Sequence, residues 1–249
     1  VTQTQHQPEL LSLLDLPAEA AGRGYQAVEI CHFHFPSTDE DYLAQLRSAF
    51  TAAAISFDTL LLDYGDLTSA DDAKRAADIS YIRRWIDIAS LCGAKQIRVI
   101  AGEELPDNEL AIRQSAETLA GLAQYATSKA VRVITENFKS LTSTGNSSIQ
   151  LLEQAGPAVG MITDFGNYKG QAKYEEIAMT VPHSVSVHAK AAYDEAGMPD
   201  EAEFRLCLEA VKSIGFHGAF VLIYDGPGDM WEGLERIRGI VERYIPASM

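Results

Sequence analysis

The sequence predicts an α/β protein, a (β/α)8 barrel whose first strand is truncated or missing. Three observations predict it. Short β-rich apolar runs alternate with amphipathic helical stretches along the whole chain. Glycines stand at the helix ends, each just ahead of a strand. Three consecutive strands end on a strong ligand type, where the catalytic groups of a barrel are found.

Taken in order, the expected strands are Ala27–Ile30, Ser56–Leu62, Gln96–Ala101, Val131–Glu136, Val159–Asp164, Ser184–His188 and Ala219–Tyr224. Expected helices include Pro8–Arg23, Asp71–Leu91, Asn108–Ser128, Ser147–Gln154, Glu201–Ser213 and Met230–Tyr244. Leu110, Leu119, Leu122 and Ala126 are read as one buried helical face. Gly24, Gly93, Gly156 and Gly215 supply the left-handed residue that closes a helix. Strands alternating with helices imply a parallel sheet with right-handed crossovers. Seven strands are one short of closure. The polar stretch Val1–Gln7 has room for only the tail of a first strand, so that strand is truncated, missing upstream or irregular. An open doubly wound sheet is the alternative, but no GxGxxG or GxxxxGK[ST] loop follows the early strands.

The 249 residues, 47% of them hydrophobic, suit a single domain over residues 1–249. A formal net charge of −15 repels a phosphate backbone, which argues against a nucleic-acid partner. Cys31, Cys92 and Cys207 are far apart and odd in number, and read as reduced thiols of a cytoplasmic protein. No apolar run approaches the ~20 residues of a membrane span, and no signal-peptide pattern is visible. The chain starts at Val1 and not at a methionine, so the cytoplasmic expectation is conditional on what precedes it. A homo-oligomer is compatible with all of this.

The strand ends carry the chemistry. One strand ends in Val-Ile-Thr-Glu136-Asn137, the next in Met-Ile-Thr-Asp164-Phe165, the third in Val-Ser-Val-His188-Ala189. A lone polar residue at a strand end is ordinarily bonded to its loop. Three in register on adjacent strands point instead to a shared site. Two carboxylates and an imidazole suit a divalent ion such as Mn²⁺, Mg²⁺ or Zn²⁺.

The chain resembles the xylose-isomerase-like TIM-barrel family of sugar phosphate isomerases and epimerases, which includes AP endonucleases. The resemblance runs through Gly24-Tyr-Gln-Ala-Val-Glu29, Leu91-Cys-Gly-Ala-Lys-Gln-Ile-Arg98, Thr135-Glu136-Asn137, Leu141-Thr142-Ser143, Asp164-Phe-Gly-Asn167, Val187-His188-Ala-Lys190 and Gly226-Pro-Gly-Asp229. It implies a carbohydrate substrate and a metal held by Glu, Asp, His and a further Glu from strands five to eight. The first three fall on Glu136, Asp164 and His188. The fourth position falls on Ile223, and a slip of two residues would offer Asp225 on the same strand face. The resemblance also implies proton abstraction beside a carbonyl by carboxylates on opposite faces of the substrate. Here Glu136 remains and Ile223 replaces its counterpart. A one-base isomerisation, an elimination (a lyase or dehydratase) or a noncatalytic binding role stay open.

Lys190 shares the face of His188 and is the second catalytic expectation, as an acid or an oxyanion binder. Lys139 is a weaker candidate for that task. Glu29, His34, Arg98 and Tyr224 are expected to contact substrate, although Arg98, mid-strand, suits a buried ion pair with Glu29 or Glu136. His32 is expected to pack under a loop. Six histidines and an acidic balance argue against the AP endonuclease branch. No cluster of Arg or Lys at the expected mouth argues for a phosphate, which favours an unphosphorylated carbohydrate.

Overall fold

A computed structural model describes residues 11–245. Seven parallel strands, β1 Ala27–Cys31, β2 Ser56–Leu62, β3 Gln96–Val99, β4 Arg132–Glu136, β5 Gly160–Asp164, β6 Ser184–Lys190 and β7 Ala219–Ile223, pair in sequence order. Eight helices alternate with them: α1 Leu16–Gly22, α2 Glu40–Ala53, α3 Asp72–Cys92, α4 Glu109–Thr127, α5 Gly145–Ala155, α6 Lys173–Thr180, α7 Glu201–Ser213 and α8 Met230–Val241. The seven strands all lie where the sequence puts them. Among the described residues no strand joins β7 to β1, as a barrel with its first strand missing requires. The expectation for Val1–Gln7 lies outside the described residues.

Strand register explains which side chains enter the barrel. The parallel ladders align Cys31 with Leu61, Leu61 with Arg98, Arg98 with Ile134, Glu136 with Ile162, Asp164 with His188, and Lys190 with Ile223. Side chains alternate with period two, so all of these share the inner face. Ile30, Leu60, Leu62, Ile97, Val99, Val133 and Met161 point the other way and pack with the helices in one cluster, while Val187 and Ala189 do so in a second. Inside, Leu61, Ile134 and Ile162 form a small apolar plug. The polar residues at the strand ends lie beyond it.

The sheet is strongly curled. In a flat sheet β1 and β6 would lie five strand spacings apart, roughly 24 Å, yet Glu29 of β1 touches His188 of β6 at 2.8 Å. The seam between β7 and β1 is bridged by side chains. Tyr25 Oη donates to Glu235 at 3.0 Å, Arg238 Nη1 donates to the Arg23 carbonyl at 2.8 Å, and the Arg23 guanidinium lies 4.5 Å from the Trp231 ring centre.

Two local expectations are corrected. The first helix begins at Leu16, because Ser12 and Asp15 form a hydrogen-bonded turn ahead of it (Ser12 Oγ to Asp15 Oδ2, 2.6 Å) and Pro17 favours the first helical turn. Leu110 is 73% exposed whereas Leu119, Leu122 and Ala126 are buried. Nine residues separate Leu110 from Leu119, two and a half turns, which turns it to the opposite face. At the end of α3, Gly93 takes φ 84° and its N–H caps the Ala89 and Ser90 carbonyls.

All three cysteines are free, and burial pushes each thiol up to about 12; Asp63 adds to the effect at Cys31. At pH 8 the thiolate fraction of such a group is about 10⁻⁴. The native protein should therefore resist iodoacetamide at pH 8, with all three sites labelling in guanidinium. Mass spectrometry showing stoichiometric labelling of any cysteine in the native state would contradict this packing.

Candidate metal centre

Glu136 and Asp164 end adjacent strands and His188 is the backbone partner of Asp164. Their side chains offer ligand atoms that all lie within 4.8 Å of one another, and all three residues are buried. His188 Nδ1 lies 3.4 Å from Asp164 Oδ2 and 3.7 Å from Glu136 Oε1. Ligands about 2.0–2.2 Å from a common ion stand roughly 3–3.5 Å apart. The donor set therefore fits a divalent cation. Among the described residues it is the one such group.

The surroundings aim these atoms. His188 Nε2 meets Glu29 Oε2 at 2.8 Å, both side chains 4% exposed, which leaves Nδ1 directed at the carboxylates. A carboxylate behind a ligating imidazole fixes its orientation and raises its basicity. Arg98 Nε lies 2.9 Å from Glu136 Oε2, but the N–H is not aligned for a hydrogen bond, so the contact is an ion pair. The guanidinium also holds Asp63 Oδ1 at 2.5 Å and the Leu62 carbonyl at 3.2 Å. On the other side of Glu136, Asn167 Nδ2 donates to Oε1 at 3.1 Å. Gly166 N–H donates to Asp164 Oδ1 at 2.6 Å, which turns Oδ2 towards His188.

Electrostatics follow from this packing. Burial pushes the Glu136 carboxyl up, against the opposing pull of Arg98 and His188. Burial alone would lower His188, but the charge of Glu29, bonds to Asp164 and Glu29, and the charge of Glu136 outweigh it and hold the imidazole well above its usual range. The same balance keeps Arg98 charged, through Glu136 and Asp63.

The remaining expected residues distribute around this centre. Glu29 is committed to His188, and Arg98 takes Glu136 rather than Glu29 as partner. Lys190 reaches over Gly166, where even a Cβ would come within 2.8 Å of its Cδ, and pairs with Asp225 at 2.6 Å. Asp225 is thereby spent on Lys190 rather than on the carboxylate cluster. Ile223 is half-buried at the end of β7, the backbone partner of Lys190. His34 lies in the short helix His32–His34 after β1, its ring 4.5 Å from that of Phe33. His32 packs edge-on against Trp85 and its Nδ1 accepts from the Asp63 N–H. Lys139 pairs with Glu103 at 3.3 Å. Tyr224 is turned away from the cluster: it follows the helix-facing Phe220 and Leu222, its ring presses on Gly233, and its hydroxyl donates to the Pro227 carbonyl.

Asp63, Asn137 and Asn167 also border the centre and are not among the site residues expected from the sequence. Asp63 had a legible signal, a carboxylate directly after an apolar strand. Asn167 reaches Glu136 from a loop 31 residues away, a contact that spacing alone does not encode.

The chain matches the family model described as xylose isomerase-like TIM barrel over residues 17–240. A comparison with curated proteins gives no significant match. Among solved structures, the chain is similar to the probable 3-DHS dehydratase AsbF of Bacillus anthracis, at 15% identity and TM-score 0.72, with 96% of each chain covered. It is also similar to an L-ribulose 3-epimerase, at 16% identity and TM-score 0.71, covering 92% of this chain and 86% of that one. A third is a xylose isomerase-like TIM barrel protein from Mycobacterium smegmatis in complex with magnesium, at 15% identity and TM-score 0.66, covering 95% and 90%. At these identities the solved structures speak to the fold alone, whereas the family model spans nearly the whole described chain. Its extent shows that the chain belongs to the xylose isomerase-like TIM barrel family.

Proposed function

We propose that the protein is a divalent-metal-dependent, isomerase-type enzyme that moves a proton next to a carbonyl of a carbohydrate. The observation that carries this reading is the convergence of Glu136, Asp164 and His188, buried and within 4.8 Å, inside the strand-end mouth of the barrel. Relatives of the same fold include an epimerase, a probable dehydratase and a magnesium complex. The three reduced thiols suit the cytoplasm. No helix among the described residues is long and apolar enough to cross a membrane.

Glu136, Asp164 and His188 would hold the ion, which when bound supplies Lewis-acid polarisation of a substrate carbonyl. The protein's own groups do the rest. Glu29 keeps His188 Nδ1 pointing into the site. Arg98 occupies Glu136 Oε2, so Glu136 acts through Oε1, as ligand or as acceptor of a proton from one substrate face. Lys190, 30% exposed and charged through its pairing with Asp225, can donate a proton or hold a developing oxyanion. His34 lies on the rim, where it can contact the sugar. Ile223 stands where a second carboxylate would be needed for proton exchange on the opposite face, and a hydrocarbon has no proton to exchange. Chemistry is therefore one-sided. Lys190 favours a second reading, elimination, in which its ammonium protonates a departing hydroxyl while Glu136 removes the neighbouring proton.

Calorimetric titration with Mn²⁺ should show one bound ion per chain. Asp164→Asn and His188→Gln should each weaken it by at least ~10-fold, since even outer-shell losses cost that much. Ile223→Glu, adding an anionic ligand, should tighten it. No binding by the wild type would overturn the metal reading; unchanged affinity in Ile223→Glu would place that residue away from the ion.

In D₂O with Mn²⁺ and a panel of ketoses, the expected result is deuterium exchange or elimination without a C3 epimer. Lys190→Met should reduce turnover by at least ~10²-fold, the usual scale for a lost general acid, with metal affinity intact. A C3 epimer carrying deuterium at C3 would refute the one-sided reading and assign Asp225 as a second base.

A further inference from the structure

We infer that Asn137 is a positioning residue that sets the spacing between Glu136 and Asp164, and thereby the affinity for the ion. This rests on the metal reading proposed above. The backbone ladder between β4 and β5 runs Ile134 with Gly160, Thr135 with Met161 and Glu136 with Ile162, and stops there. Asp164 lies two residues further along β5, beyond the last rung to β4. The Asn137 side chain takes over at that point: its Nδ2 donates to the Asp164 carbonyl at 3.0 Å, and its Oδ1 accepts from the Asp164 N–H at 2.7 Å. One buried amide, 1% exposed, thus acts as an extra rung.

The residue type matters. The rung needs a donor and an acceptor on one short planar group, which asparagine provides and an ionised aspartate, lacking the donor, does not. Asn137 follows directly on Glu136, so a single residue ties one ligand's backbone to the other's. With β6 pairing Asp164 to His188 on the far side, and Gly166 N–H turning the Asp164 carboxylate, that ligand is held on both backbone edges and at its side chain. Outer partners of this kind set metal affinity because a ligand free to wander must be ordered again on binding.

The test is Mn²⁺ affinity by calorimetry, at a temperature where circular dichroism shows each variant folded. Asn137→Ala should weaken binding by ~10–100-fold. Thr135→Val is the control: it deletes a buried hydrogen bond on the other neighbour of Glu136, from Thr135 Oγ1 to the Val99 carbonyl at 2.9 Å, on the strand face opposite the Glu136 side chain. It should lower the melting temperature and leave affinity within about twofold, the scatter of such a titration. Should Asn137→Ala fail to fold, Asn137→Ser, polar but too short for the rung, should show the same loss of affinity. Equal affinities for the Asn137 variants and Thr135→Val would overturn the inference while leaving the metal reading intact. A wild type that binds no ion would instead overturn the metal reading, and this inference with it.

Discussion

Burying several carboxylates close together is the constraint around which this barrel is arranged. Glu136 and Asp164 at their strand ends and Glu29 in the middle of β1 are gathered with little access to water. An ionised carboxylate out of water costs several kcal/mol unless charge or hydrogen bonds replace its hydration. The compensation is specific: Arg98 faces Glu136, the His188 ring sits between Glu29 and Asp164, and the Gly166 amide meets Asp164. Each compensating group comes from a different strand or loop. Ordering the site therefore requires the whole curl of the sheet.

That curl also explains why so much was readable from the chain and where reading stopped. Short apolar runs between helical stretches identify all seven strands, and because the strands pair in sequence order, three strand-end residues point to one centre. What sequence alone left open is the pairing across the barrel. Arg98 had two plausible partners, Glu29 and Glu136, and only the curl assigns Glu29 to His188 and Glu136 to Arg98. Tyr224 shows a second limit. A strand-end aromatic can face either way, and the ring takes the space that Gly226 and Gly233, without side chains, leave open on the side away from the site. Leu110 misleads for a simpler reason: it lies two and a half turns before Leu119, at the first turn of α4, and faces solvent.

The two sides of the centre differ in chemical character. On the β4–β5 side lie carboxylates, an arginine and two asparagines, all held by interlocking bonds. On the β7 side lie a half-buried isoleucine and a lysine–aspartate pair open to solvent. An exposed pair of this kind adds little to stability, about 0–1 kcal/mol, so its geometry is free to be shaped by reactivity. Under the proposed function, the rigid side would grip the ion and the open side would exchange protons and product with water.

The seam between β7 and β1 has a mechanical consequence. Elsewhere neighbouring strands are joined by repeated backbone bonds, which part only when a whole ladder ruptures. At the seam the described part of the ring is fastened by Arg23 and Tyr25, in the loop after α1, and by Trp231, Glu235 and Arg238 of α8. Such a clasp can open one contact at a time, and its release leaves every ladder intact. Among the described residues the barrel is thus a coiled ribbon held shut by a buckle. Because Glu29 stands on one lip of that ribbon and His188 one strand in from the other, their 2.8 Å contact closes the same gap from inside the barrel, at the imidazole that faces the carboxylates.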